Sequence, residues 1–103
     1  MIYEMRVYTV LPGKVGEVNA IFERDGLPII KEYSKLVGWW STEVGPLNQV
    51  VHLWAYDDAG HREKTRAAQN ADPRLAAYRP KVLALIVSQT NMLLTPASFS
   101  PLQ

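Results

Sequence analysis

Two segments rich in Val, Trp, Tyr and Thr lie on either side of a short stretch with turn-forming composition. The segments are residues 37–44 and 49–57, and the stretch between them is Gly45-Pro46-Leu47-Asn48. β-Branched and aromatic residues favour strands, and Gly, Pro and Asn favour turns. The pattern therefore predicts a β-hairpin in the middle of the chain. The two strands of this hairpin must pair antiparallel, which restricts the possible folds.

The residues before the hairpin predict one strand and one helical region. Residues 2–10 alternate between two sets of side chains, which is the period of a strand. Residues 15–34 carry apolar side chains at helical spacing, starting with Val15, Val18, Ile21 and Phe22. Gly26 and Pro28 interrupt this pattern, and because proline lacks an amide hydrogen we expect a kink or a restart there.

The residues after the hairpin predict two helices and a closing strand. Asp57-Asp58 is an N-cap for a polar helix to about Asn70, and Asp72-Pro73 caps a short second helix through Tyr78. Pro80 is expected to stop that helix. The β-branched and apolar residues 82–94 then predict the last strand.

The resulting order, βαββαβ, is that of an α+β, ferredoxin-like split unit. In this architecture a four-stranded antiparallel sheet carries both helical regions on one face. The other face, with its Trp, Tyr and aliphatic side chains, exposes more apolar area than a monomer usually tolerates. We therefore expect a single domain, residues 1–103 with a loosely held tail at 95–103, that pairs as a homodimer or a higher even oligomer.

Composition excludes several classes of function. The net charge of +1 is far below the basic excess of a nucleic-acid binder, and the absence of cysteine excludes disulfides and thiolate chemistry. The longest strongly apolar run, residues 82–87, is six residues long, whereas a membrane-spanning helix needs about 20. Residues 1–6 alternate and carry charge, unlike a signal peptide. We expect a cytoplasmic protein with no membrane span.

The hairpin region also carries a longer and more specific motif. It reads Lys35-Leu36-Val37-Gly38-Trp39-Trp40 and then Glu43-Val44-Gly45-Pro46-Leu47-Asn48-Gln49-Val50-Val51-His52-Leu53-Trp54-Ala55-Tyr56. Further pieces follow the same order along the chain: Tyr3-Glu4-Met5-Arg6-Val7-Tyr8-Thr9, Leu11-Pro12-Gly13-Lys14, Gly26-Leu27-Pro28 and Ala71-Asp72-Pro73. This sequence resembles the NIPSNAP family over nearly its whole length. The resemblance implies a ferredoxin-like fold assembled as a dimeric α/β barrel, and it implies no particular reaction.

The alternation along the strands divides the sheet into an aliphatic face and an aromatic face with polar groups. A hairpin symmetric about residues 46 and 47 places Thr42 opposite Val51, Trp40 opposite Leu53 and Trp39 opposite Trp54. One face then carries Trp40, Val44, Val51 and Leu53. The other carries the candidate ligand-binding residues Tyr8, Trp39, Glu43, Trp54 and Tyr56, together with Glu4, Arg6 and His52. Rings with a few convergent polar groups are typical of a small-molecule pocket.

Arg6 and His52 are the candidate catalytic residues. His52 has a side chain that titrates near neutral pH and is a candidate proton shuttle, while Arg6 would stabilise developing negative charge. Each also has a structural explanation, because Arg6 can pair with Glu4 on its own strand or across the dimer, and a strand histidine is often hydrogen-bonded packing. The mixed-sign run from His61 to Arg66 is typical of an exposed helix face.

These residues support several functions. The first is binding of a small apolar or aromatic molecule, and the alternatives are a cofactor-independent monooxygenase or isomerase and a non-catalytic protein-interaction module. Haem binding through His52 is a further hypothesis. We expect no metal and no cofactor, because two separated histidines without a carboxylate cluster do not form a metal site, and the sequence contains no glycine-rich phosphate loop and no Gly-x-Ser-x-Gly motif.

Overall fold

The computed structural model describes residues 1–103 and shows the ferredoxin-like α+β fold. The strands are β1 (Ile2–Val10), β2 (Lys35–Ser41), β3 (Gln49–Tyr56) and β4 (Ile86–Leu94). The helices are α1 (Val15–Ile21), α2 (Leu27–Ile30), α3 (Ala59–Asn70) and α4 (Pro73–Leu83), with a π-helical segment, Phe22–Gly26, between α1 and α2. All strand pairs are antiparallel, in the order β2-β3-β1-β4.

The helix starts and the first interruption follow local sequence signals. The Asp58 carboxylate accepts the His61 amide at 2.7 Å, and the Asp72 carboxylate accepts the Arg74 amide at 2.9 Å, so both predicted N-caps are present. The predicted restart is also present: α1 ends at Ile21, a π-helical segment follows, and α2 begins at Leu27 with Pro28 in its first turn.

Pro80 does not end α4, and this corrects two sequence boundaries. The helix continues to Leu83, and the closing strand begins at Ile86 rather than residue 82. Pro80 is exposed, and the turn that follows it buries Val82 in the core. Packing of this last turn therefore outweighs the hydrogen bond that proline cannot make, a loss of about 3 kcal/mol in a helix interior.

The hairpin register is also different from the symmetric prediction. Trp39 lies opposite His52 and Trp40 opposite Val51, so the register is displaced by two residues. The cause is the connection: the backbone of Thr42 hydrogen-bonds to Gln49, leaving six residues in the loop instead of four. A bulge between Leu36 and Gly38 shifts only the start of β2, by one further residue. Because side chains alternate with period two, this displacement preserves the predicted face of every residue that remains in a strand.

The two faces of the sheet have different surroundings. The helices cover the face with Val10, Val50, Trp54 and Tyr56, which form the core with Val18, Phe22, Ile30, Leu75, Tyr78 and Val82. The opposite, open face carries Met5, Val7, Trp40, Val51, Leu53 and Met92. Trp40 and Met92 are each 53% exposed there. At one end of this face Tyr3 is buried, and its hydroxyl donates to the backbone of Gln103, so the tail is tied to the sheet.

Candidate functional site

A cavity of about 190 Å³ lies between the covered face of the sheet and the helices. Eleven of its nineteen lining residues are hydrophobic, so its wall is mainly apolar. The inner part is formed by buried side chains, including His52, Trp54, Tyr56, Leu75 and Tyr78. Asn70, Leu83 and Gln89 also line it and are exposed, so they mark its mouth, between α3, α4 and β4.

Glu4 organises the charged end of the covered face. Its side chain is fully buried and accepts hydrogen bonds from Arg62 at 2.6 Å, Asn91 at 2.9 Å and Arg6 at 3.1 Å. Arg66 lies farther away, at 3.9 Å. Burial raises the pKa of Glu4, but the hydrogen bonds from Arg62 and Asn91 and the charges of Arg6 and Arg62 outweigh it, so the pKa lies below its ordinary value. Glu4 is therefore ionised, and one carboxylate faces three guanidinium groups.

The rings on this face are stacked into one block. Trp39 lies between Phe22 and His52, with centroid distances of 4.0 and 4.2 Å and nearly parallel planes. Tyr8 meets the edge of His52 at 4.7 Å. The Trp39 indole N–H donates to Asn19 on α1 at 2.9 Å, which fixes the ring between strand and helix.

His52 is held in one protonation state. Its Nδ1 accepts the indole N–H of Trp54 at 2.7 Å, so the ring hydrogen must lie on Nε2. Burial, with a smaller effect of the Arg6 charge, lowers the pKa of His52 to about 3. Nε2 is buried and has no protein partner. At neutral pH His52 is therefore a neutral hydrogen-bond donor whose one acceptor atom is already in use.

Three arginines line the cavity without a carboxylate among the lining residues. They are Arg6, Arg66 and Arg79. Arg6 also donates to the Tyr8 hydroxyl at 3.0 Å. Arg79 lies half-buried and donates to the amide oxygen of Asn70 at 2.7 Å, and no carboxylate pairs with it.

The structure brings six of the seven sequence candidates to this cavity: Arg6, Tyr8, Trp39, His52, Trp54 and Tyr56 all line it. Glu43 does not. The prediction placed it in a strand, but β2 ends at Ser41, and Glu43 lies in the exposed loop. The predicted ion pair between Glu4 and Arg6 is confirmed, at 3.1 Å within one chain.

Sequence reasoning missed the contribution of the helices. The segment from His61 to Arg66 is not uniformly exposed, because Arg62 and Arg66 turn toward Glu4 and their side chains are 24% and 26% exposed. Gln69 is buried and accepts a hydrogen bond from Ser34 at 2.8 Å. The signal was present: residues 62, 66 and 69 recur at helical spacing and form one polar stripe.

The structure contains no group of three or more His, Cys, Asp or Glu side chains arranged to hold a metal ion. None of its helices has both the length and the apolar composition required to cross a bilayer. The candidate site consists of stacked rings, one buried carboxylate, three lining guanidinium groups and one free imidazole N–H.

Comparison with known proteins identifies the family. The NIPSNAP family model matches residues 3–101. The chain belongs to the NIPSNAP family. Among NIPSNAP proteins, human NipSnap homolog 3B is 40% identical over 103 residues, covering 99% of this chain and 42% of the relative. The chain thus spans less than half the length of that relative.

Solved structures agree with the NIPSNAP assignment and extend the fold comparison. An uncharacterised NIPSNAP domain protein from Burkholderia xenovorans superposes with a TM-score of 0.96 at 42% identity, covering 98% of this chain and 99% of that one. A cofactor-independent oxygenase from Streptomyces nogalater superposes with a TM-score of 0.68 at 18% identity, over 97% of this chain and 96% of that one. This second likeness shows a shared fold, and a shared fold does not establish a shared function.

Proposed function

We propose that this NIPSNAP protein binds a small apolar or aromatic molecule in the cavity between its sheet and helices. The observation that carries the proposal is the cavity itself, about 190 Å³ and lined mainly by apolar and aromatic side chains. Small-molecule sites usually measure about 300–1,000 Å³, while a cavity of about 150 Å³ holds benzene. The size therefore fits one ring with few substituents.

The protein works as a homodimer in this proposal. The open face exposes Trp40 and Met92, with Met5 and Leu53 half-buried between them. A two-fold dimer brings the same patch of both subunits together, so a second copy would cover this apolar face with the same residues. The cavity lies on the other side of the sheet, and pairing leaves its mouth between α3, α4 and β4 to be reached by the ligand.

Catalysis with His52 as a proton shuttle has less support than binding. A general base near neutral pH needs a free acceptor atom and a pKa near the working pH. The Nδ1 of His52 already accepts from Trp54, and its pKa is lowered to about 3. The cofactor-independent oxygenase from Streptomyces nogalater shares the fold at 18% identity. A shared fold alone does not imply that this chain catalyses the same reaction.

The test is ligand-observed and protein-observed NMR with a neutral single-ring probe, toluene, on the full chain. We expect saturable shifts at the lining residues. Leu83→Trp places a large ring at the mouth, where Leu83 is 51% exposed, and should abolish the shifts. Leu47→Trp makes the same change in the loop, at a residue 75% exposed, and should leave them unchanged. Equal shifts in wild type and Leu83→Trp would contradict binding in this cavity.

A further inference from the structure

The wall of the cavity is mainly apolar, but it also carries positively charged side chains without negatively charged ones. Arg6, Arg66 and Arg79 line it, and no Asp or Glu does. Glu4 partly balances the first two, because it bonds Arg6 at 3.1 Å and lies 3.9 Å from Arg66, but it also bonds Arg62 at 2.6 Å. One carboxylate thus serves three guanidinium groups, and the lining keeps an excess of positive charge.

Arg79 contributes the least compensated charge. Its only polar partner is the neutral amide oxygen of Asn70, at 2.7 Å. It sits half-buried beside Asn70 and Leu83, which mark the mouth of the cavity. A guanidinium group in this position presents planar paired donors that match a carboxylate.

His52 supplies an independent observation at the inner end. Its side chain is 3% exposed, it lines the cavity, and its Nε2 has no protein partner. Because Nδ1 accepts from Trp54, Nε2 carries hydrogen and offers one donor. A buried donor without an acceptor is costly, so a ligand oxygen that accepts it would bind there with selectivity.

We propose that the ligand is a single-ring carboxylic acid with a second oxygen on its ring. The carboxylate pairs with Arg79 at the mouth. The ring lies in the aromatic part of the cavity, and the second oxygen accepts the Nε2–H of His52. His52 is in this assignment a neutral donor that positions the ligand. The inference rests on the proposed binding function and adds the chemical class of the ligand.

The test compares three probes by titration calorimetry on the full chain at pH 7. 4-Hydroxybenzoate carries both groups, phenol lacks the carboxylate, and benzoate lacks the second oxygen. We expect 4-hydroxybenzoate to bind at least tenfold more tightly than phenol and severalfold more tightly than benzoate. Arg79→Gln should remove the preference for the acid over phenol. Lys64→Gln, the same charge change at an exposed residue of α3 outside the cavity, should retain it.

Long-range ¹H–¹⁵N spectra of the imidazole give a readout in the unaltered protein. We expect the Nε2–H signal of His52 to shift with 4-hydroxybenzoate and to respond much less to benzoate. Phenol binding as tightly as 4-hydroxybenzoate, or an unchanged preference in Arg79→Gln, would overturn the acid assignment while ring binding stands. If toluene and all three probes fail to bind, the binding function itself fails and the acid assignment fails with it.

Discussion

Trp39 and Trp40 are neighbours on one strand and lie in opposite environments. Trp39 is stacked between Phe22 and His52 on the covered face, whereas Trp40 is 53% exposed on the open face. The contrast extends to their surroundings. The covered face buries Glu4 and His52, and the open face leaves aliphatic side chains partly in water.

In a simple globule polar groups face water and apolar groups are buried. Here the covered face holds the hydrophobic core and also buries Glu4 and His52, while the open face leaves apolar side chains partly in water. Burying a carboxylate costs free energy unless it is paired and hydrogen-bonded. Exposing a contiguous apolar patch also costs free energy unless a partner covers it. The comparison teaches that the covered face combines the hydrophobic core with specific buried polar contacts, while the open face is apolar and is the surface on which we propose that a second copy packs. Four measurements test this difference between the two faces.

The largest effect is expected from removing the carboxylate of the covered face. Glu4→Ala leaves the guanidinium groups of Arg6 and Arg62 without their charged partner in a buried site. Such a loss lowers the free energy of unfolding by about 3–5 kcal/mol. Urea unfolding followed by circular dichroism measures it. Glu17→Ala removes an exposed carboxylate that is 3.4 Å from Lys14, and should cost less than about 1 kcal/mol. Equal losses would remove the distinction between buried and exposed carboxylates.

The next effect concerns the open face. Trp40→Glu places a charge where we propose that a second copy packs, and should weaken dimer association at least about 30-fold, equivalent to about 2 kcal/mol. Sedimentation velocity across a dilution series measures this change. Val44→Glu is the matched control, because Val44 is 91% exposed in the loop outside the sheet. A wild-type protein that sediments as a monomer throughout the micromolar range would contradict the dimer.

The pH dependence of stability tests whether His52 is a buried, neutral imidazole on the covered face. Its pKa is about 3 in the folded chain, below the ordinary value of 6.5, so between these values the unfolded chain binds a proton that the folded chain does not. Stability therefore falls as the pH decreases through this window, by about 2 kcal/mol between pH 7 and pH 5. Urea midpoints across a pH series measure it. His52→Gln should flatten this part of the profile, and an unchanged slope in that variant would exclude the buried neutral imidazole.

The smallest effect tests how tightly the helices pack on the covered face. A Cβ atom on Gly26 would lie 2.7 Å from the ring of Tyr78, so Gly26→Ala should cost about 1–2 kcal/mol through overpacking. Gly16 lies in α1 with open space around it, and Gly16→Ala should stabilise by about 0.5–1 kcal/mol through helix propensity. Thermal unfolding of both variants measures the difference. Opposite signs are expected, and two stabilising substitutions would show that the helices pack loosely.

The cavity was partly predictable because its strand residues follow period two. Arg6, Tyr8, His52 and Trp54 keep one face whatever the loop length, provided that the register moves by an even number of residues. The register itself was mispredicted by two residues, because the longer loop has no local signature strong enough to predict its length. Glu43 was misplaced for the same reason, since the early end of β2 left it in the loop.

The helical side of the site was harder to predict. Whether Arg66 and Arg79 face water or the cavity depends on how α3 and α4 are rotated against the sheet. Pro80 is a second example of a feature that depends on tertiary packing. A proline is expected to end a helix, but α4 continues to Leu83 because Val82 packs in the core. Local propensity is a weak guide where tertiary contacts supply more free energy.

The sequence by itself determined the order of elements, the two faces of the strands and the family. These depend on residue periodicity, caps and a long motif, all of which are local along the chain. Only the tertiary structure decided that the polar and aromatic face lies under the helices. It also decided that three arginine side chains lie within 4 Å of the Glu4 carboxylate, and that His52 is a neutral hydrogen-bond donor lining the cavity. These properties come from burial and from contacts between residues far apart in sequence, such as Glu4 with Arg62 and Asn91, and no local pattern encodes a protonation state set by such neighbours.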